Sequence, residues 1–161
     1  MNGKIDSHSE HAMGLFREGY NCAQSVLGAF CDETGIDFET SMKLSSSFGG
    51  GMGRLREVCG AVSGMFMVAG LIYGYTDSLD KTAKTEHYKL IQLLAQQFEK
   101  ENGSIICRDL LGIDTKKSNP IPETRTENYY KKRPCINLVG QAAEIIEKII
   151  INNSLEINNK K

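Results

Sequence analysis

Apolar residues recur at three- and four-residue intervals along most of this chain, and alternation with a period of two is hard to find. That pattern predicts an all-α fold. The clearest stripe is Ala83, Leu90, Ile91, Leu94 and Phe98. It predicts a helix over 80–101, roughly 33 Å long, closed by Asn102-Gly103. Further helices are expected over 7–17, ending at Gly19, and over 22–33, with Asn21 as N-cap and Gly35 as stop. In the latter, Val26, Ala29 and Phe30 share a face with Cys22. Helices over 38–46, 56–73 and 136–151 complete the set, with a short helical turn at 107–112. The segment 113–134 has little periodicity and holds all three prolines; a turn or two of helix is expected within 123–132. Connections of this length in a compact domain are often functional or mobile.

The stretch 58–75, VCGAVSGMFMVAGLIYGY, has no charged residue over 18 positions. It reaches the lower length for a membrane span, with Gly60-x-x-x-Gly64 and Gly70-x-x-x-Gly74 at the spacing of membrane helix pairs. It also contains Cys59, Ser63 and four glycines, and lacks aromatic and basic flanks. The expectation is a buried central helix, not an inserted one. The whole reads as a compact single-domain bundle of about five to six helices over 1–151, followed by a polar, frayed tail at 152–161.

Length and charge narrow the function. A chain of 161 residues can bury roughly 68–70% of its unfolded surface and needs no staple. A net charge of -1 gives no general attraction to nucleic acid or anionic membranes. The first eleven residues contain no apolar signal core. A cytoplasmic setting is therefore expected, where five cysteines would be reduced, metal-bound or redox-active.

Those cysteines are Cys22, Cys31, Cys59, Cys107 and Cys135, and none forms C-x-x-C. This excludes a zinc ribbon or thioredoxin-type dithiol at motif spacing. Cys22, Cys59, Cys107 and Cys135 each fall at an expected helix start. Free N–H groups and the positive helix end there favour thiolate. Cys31 lies nine residues after Cys22, a rotation of about 900°, and so faces the other side. It is expected to be a spectator. For each of the other four, a small buried hydrophobe is the competing reading.

Six of the seventeen residues in 48–64, FGGGMGRLREVCGAVSG, are glycine. The run 49–53 follows a helix and lacks G-K-[ST], so it is no nucleotide loop. Gly49, Gly50, Gly51 and Gly53 would instead allow an amide nest for an anion. Gly60 and Gly64, one turn apart, would admit a helix or a bulky inorganic group beside Cys59. A tight turn followed by intimate helix packing accounts for the same glycines. Arg54 and Arg56 either favour the Cys59 thiolate or are surface charges. Lys131, Lys132 and Arg133 either steer an acidic redox partner and lower the Cys135 pKa, or are solvated. His87 sits mid-stripe, as a core residue with a satisfied ring or as a ligand or proton relay. His8 and His11 are expected on a solvated face. No Ser/His/Asp set or carboxylate pair points to hydrolysis.

The segments GYNCAQSVL (19–27), FGGGMG (48–53), CGAVSG (59–64), CRDLLG (107–112) and RPCINLV (133–139) resemble the C_GCAxxG_C_C family, named for its cysteine pattern. The resemblance spans about residues 20–140. It implies a helical domain assumed to be redox-active, with the family cysteines at Cys22, Cys59, Cys107 and Cys135 and Cys31 outside the pattern. Similar domains occur attached to electron-transfer modules with a cysteine-held iron–sulfur centre.

The expected function is redox activity through four cysteines gathered around one site. An iron–sulfur cluster, [2Fe–2S] first, serves electron transfer to an unidentified partner, with tetrahedral zinc as the rival metal. Thiol–disulfide oxidoreduction by the same residues is the enzymatic alternative. The third alternative is a structural or transport-accessory domain with inert thiols. A homodimer through the Gly60/Gly64 face is a further expectation.

Overall fold

Caps set the helix boundaries in the structure, a computed structural model that describes residues 7–158. Ser7 caps α1 (His8–Arg17), its hydroxyl accepting from the Glu10 amide at 3.2 Å. Asn21 caps α2 (Cys22–Ala29) through a full capping box with Gln24. The expected 22–33 helix breaks at Phe30, with φ -109° and ψ 23°, and restarts as α3 (Cys31–Thr34). The break lets Phe30 enter the core, where it is fully buried. Gly35, at φ 73°, stops α3 in the left-handed conformation. Asp37 caps α4 (Phe38–Ser45), which passes through a 3₁₀ turn (Ser46–Phe48) into the glycine segment.

The next helix, α5 (Gly60–Tyr73), starts four residues later than expected. Before it, Met52, Arg54 and Arg56 hold positive φ of 66°, 65° and 61°. No helix passes through such residues. Val58 then forms an isolated antiparallel bridge with Ile106. Asp80 caps α6 (Lys81–Asn102), and Gly103, at φ 83°, ends it. Two short helices follow, α7 (Cys107–Leu111) and α8 (Glu127–Lys132). The last, α9 (Cys135–Asn158), continues through the segment expected to fray; within it Ser154 Oγ donates to the Ile150 carbonyl at 2.9 Å. Residues 159–161 and 1–6 lie outside the described residues.

Among the described residues there are nine helices and no strand. The class is all-α, as the periodicity predicts. The count exceeds five to six because of the break at Phe30 and the short turns at Cys107 and Glu127. The apolar helix α5 is central: Ala61, Val62, Met65, Val68 and Ala69 are fully buried. It packs on α2, while α1 packs on α9 and α2. Phe16, Phe30, Phe98 and Ile146 close the core. No helix of the described residues is long and apolar enough to cross a membrane.

Candidate functional site

Four elements each deliver one cysteine to a single cavity of about 270 Å³. Cys22 is the first residue of α2, fixed by the Asn21 capping box. Asn21 also donates through Nδ2 to the Ser46 carbonyl at 3.0 Å, tying that end to the glycine segment. Cys59 is the N-cap of α5, and the amides of Ala61 and Val62 face its sulfur. Its own N–H donates to the Ile105 carbonyl at 2.8 Å. Cys107 opens α7, with its N–H on the Glu57 carbonyl at 2.6 Å. These two bonds flank the Val58–Ile106 bridge and hold Cys59 and Cys107 in register. Cys135 opens α9, where the Pro134 carbonyl accepts from the Leu138 amide at 3.0 Å.

The glycine segment forms the adjoining wall. Gly50, Gly51 and Gly53 have φ of 66°, 69° and 62°. At Gly51 a Cβ would stand 2.6 Å from Cys107 Cβ and 3.0 Å from Arg56 Cα, so no larger residue fits without movement. Gly49, Gly50, Gly51, Gly53 and Gly60 all line the cavity. Gly64 does not; it faces Ala23 and Val26 of α2.

Four arginines and one glutamate also line the cavity: Arg54, Arg56, Arg125, Arg133 and Glu123. Glu123 pairs with Arg133 at 2.5 Å and Arg54 at 3.8 Å. Arg56 is only 5% exposed. Its Nε donates to Ser118 Oγ at 2.8 Å, and its Nη1 lies 3.7 Å from Cys107 Sγ. Arg125 donates to the Phe16 and Tyr20 carbonyls and lies over the Phe16 ring.

Burial and this charge split the four thiols. A hydrogen bond from Cys22 holds the Cys135 thiol down to about 7 against burial, helped by Arg133, Arg56 and Arg125. The same bond, then burial, pushes Cys22 well above its ordinary value. Burial pushes Cys59 up to about 12, against the Ala61 and Val62 amides. Burial also raises Cys107, with Arg56 opposing. A thiolate at every helix start, the expectation from sequence, therefore holds for Cys135 alone before anything is bound. Desolvation outweighs the helix end at the other three.

No three of these sulfurs lie mutually within 4.8 Å. A single tetrahedral zinc, with Zn–S near 2.3 Å, needs sulfurs about 3.8 Å apart. Among the described residues, the three-ligand group that does meet 4.8 Å is His8, Asp32 and Glu33. Both ring nitrogens of His8 are already committed to carboxylates.

The family model described as "Putative redox-active protein (C_GCAxxG_C_C)" matches residues 20–149. The chain belongs to this family. No curated protein and no solved structure matches it.

Within this C_GCAxxG_C_C chain, the structure brings the four pattern cysteines together and leaves Cys31 out. Cys31 sits on α3 with its sulfur 3.3 Å from Ser41 Oγ. Arg56 proves buried and meets Cys107, not Cys59, because the left-handed turn redirects it. Arg133 lines the cavity, whereas Lys131 and Lys132 are exposed. His87 stays away from the cysteines. It packs edge-on against Tyr75 at 6.0 Å, and its buried Nδ1 has no partner, contrary to a satisfied ring. His8 is not solvated: it bonds Glu147 and Asp32 and stacks on Phe30. The Gly60/Gly64 face is taken by α2, with Ala23 O within 2.9 Å of a Cβ built at Gly64, so it offers no room for a second chain. Sequence reasoning missed Arg125, Ser118 and Glu123, which bind the proline-bearing segment to the site. The one available signal was that segment's length.

Proposed function

We propose that Cys22, Cys59, Cys107 and Cys135 hold an iron–sulfur cluster, [2Fe–2S] first, used for electron transfer with a redox partner. The observation that carries this reading is four thiols from four separate elements lining one cavity. The donor set suits the group: thiolates are its usual ligands, and four anchor one cluster. Such a cluster supplies one-electron transfer. The chain's own residues do the rest. The arginines offset the negative charge of four thiolates, and the glycine wall brings backbone close to the centre without side chains in the way. Burial of Cys59 and Cys107 keeps water from that side.

The test is anaerobic reconstitution with iron and sulfide. Expected are stoichiometric iron and acid-labile sulfide with visible absorption that bleaches on reduction. Serine at any of the four positions abolishes this, and Cys31→Ser leaves it intact. A colourless protein carrying one zinc per chain would refute the reading.

A second reading rests on Cys22 and Cys135, which line the same cavity and whose thiols are pushed in opposite directions, Cys22 up and Cys135 down. Cys135 thiolate attacks a disulfide of a partner, and Cys22 resolves the mixed disulfide. Two electrons and the Cys22 proton leave the pair as its S–S bond forms, and the partner's disulfide becomes two thiols with that proton and one from water. Metal-free protein that forms the Cys22–Cys135 disulfide with glutathione disulfide, and with Cys22→Ser stops at a glutathione mixed disulfide on Cys135, favours this reading.

A further inference from the structure

The cavity holds a buried cation that no carboxylate of the described residues pairs with. Arg56 is 5% exposed. Its guanidinium meets only Ser118 Oγ and Cys107 Sγ, and among the described residues no carboxylate lies within 4.0 Å of it. The nearby acids are committed elsewhere: Glu123 to Arg133 and Arg54, and Glu57 to Arg108 at 3.1 Å. Arginine does not shed its proton in proteins. A buried charge without a counter-charge is costly. The chain adds to that cost by holding Arg56 at φ 61°, a left-handed conformation that strains a non-glycine residue. Ser118 accepts from Arg56 Nε at 2.8 Å and holds the side chain in place.

We infer that Arg56 is the built-in counter-ion of an anionic occupant of the cysteine cavity, and that it biases the site toward its more negative redox state. The inference deepens the proposed cluster reading and rests on it for the identity of the occupant. An electron added to the centre raises its negative charge by one, and a fixed neighbouring cation favours that state. Arg56 is a positioning and electrostatic residue, not a strut. The same residue should therefore destabilise the metal-free fold and favour reduction of the loaded site.

The experiment compares wild type with Arg56→Met and Arg56→Lys. In metal-free, fully reduced protein at pH 6, where the Cys135 thiol is largely protonated, Arg56→Met should raise Tm by about 2–4 °C, because it replaces a buried charge without a counter-charge by an apolar chain of similar length. In cluster-loaded protein it should lower the reduction potential by at least about 59 mV, a tenfold change in the one-electron equilibrium. Arg56→Lys keeps the charge and should shift the potential by less than that. A lower or unchanged Tm in metal-free Arg56→Met, or an unchanged potential, overturns the inference and makes Arg56 structural. Should wild type take up no iron, the cluster reading fails by itself. The inference is then decided on the Cys22/Cys135 dithiol couple against glutathione: Arg56→Met should lower its potential by about 30 mV, tenfold for two electrons. No change there overturns it.

Discussion

Cys59 and Cys135 both stand at a helix start with backbone N–H groups ahead of them, yet their thiols lie on opposite sides of the ordinary 9.0. The helix end is common to both. What differs is the neighbour: Cys135 has the Cys22 donor and three guanidinium groups, while Cys59 has apolar burial. In metal-free protein this predicts one fast-alkylating thiol. The rate of iodoacetamide reaction at Cys135 should rise with a midpoint near pH 7, since a lowered pKa places the thiolate below the usual range. Cys59, at about 12, should react only on unfolding. Peptide mapping after brief alkylation at pH 7.5 checks this. Cys22→Ser removes the thiol donor and should move the midpoint up unless the serine hydroxyl replaces it. A fast phase on Cys107 or Cys59, or a Cys135 midpoint near 9, would sink the assignment. At this scale the sequence placed Cys22, Cys59, Cys107 and Cys135 at helix starts, but Cys31 opens a helix too, because the break at Phe30 ends the run on which its opposite face was argued. It did not show Arg56 in the cavity, because a run of non-glycine residues at positive φ has no periodic signature.

The approach of α2 to α5 depends on two missing side chains. A Cβ at Gly64 would lie 2.9 Å from both the Ala23 carbonyl oxygen and Val26 Cβ; one at Gly60 would lie 2.9 Å from the Phe48 carbonyl oxygen and 3.0 Å from Cys22 Cβ. The contact joins the helix that starts at Cys22 to the helix capped by Cys59. Gly64→Ala should therefore cost about 1–3 kcal/mol of overpacking, less the roughly 1 kcal/mol that alanine gains in a helix. It should also move Cys22 relative to Cys59 and, under the proposed cluster reading, lower iron uptake on reconstitution. Gly70→Ala is the control on the same helix. Nothing lies within 4 Å of its Cβ, so only the propensity gain remains, and urea unfolding should show about 0.5–1 kcal/mol of stabilisation. A loss of stability at Gly70, or a gain at Gly64 as large as the one at Gly70, would contradict this packing. Helices with polar caps were readable, since Asn21, Asp37, Asp80, Gly35 and Gly103 mark their ends by local chemistry. The segment after α7 was not. Its path is fixed by distant bonds, Arg125 to the Phe16 and Tyr20 carbonyls and Arg54 to the Asn119 carbonyl, and such bonds leave no pattern along the chain.

Across the whole molecule, the first and last helices are clasped through one histidine. His8 on α1 bonds Glu147 on α9 at 2.7 Å through Nδ1 and Asp32 on α3 at 3.2 Å through Nε2, and its ring stacks on Phe30 at 4.3 Å. Its partner Glu147 is 139 residues away, which is why a lone histidine near the start reads as solvated. Burial alone would lower the His8 pKa, but the bonds to Glu147 and Asp32 together outweigh it, so the value is raised above 6.5. The folded state thus favours the protonated ring. That contribution is complete below the unfolded value of 6.5 and is lost as pH rises through the higher folded value. Hydrogen bonds to charged groups contribute about 1.5–3 kcal/mol, and the Asp32 arm is 68% exposed, so the lower end applies. His8→Gln should destabilise by about 1–2 kcal/mol at pH 5.5. The gap from wild type should narrow steadily toward pH 9, as wild type loses what the variant never had. Urea unfolding at intervals between these values measures it. A gap that stays constant, or widens with pH, would mean that the clasp holds by the Phe30 stack and shape alone, with no charge on the ring.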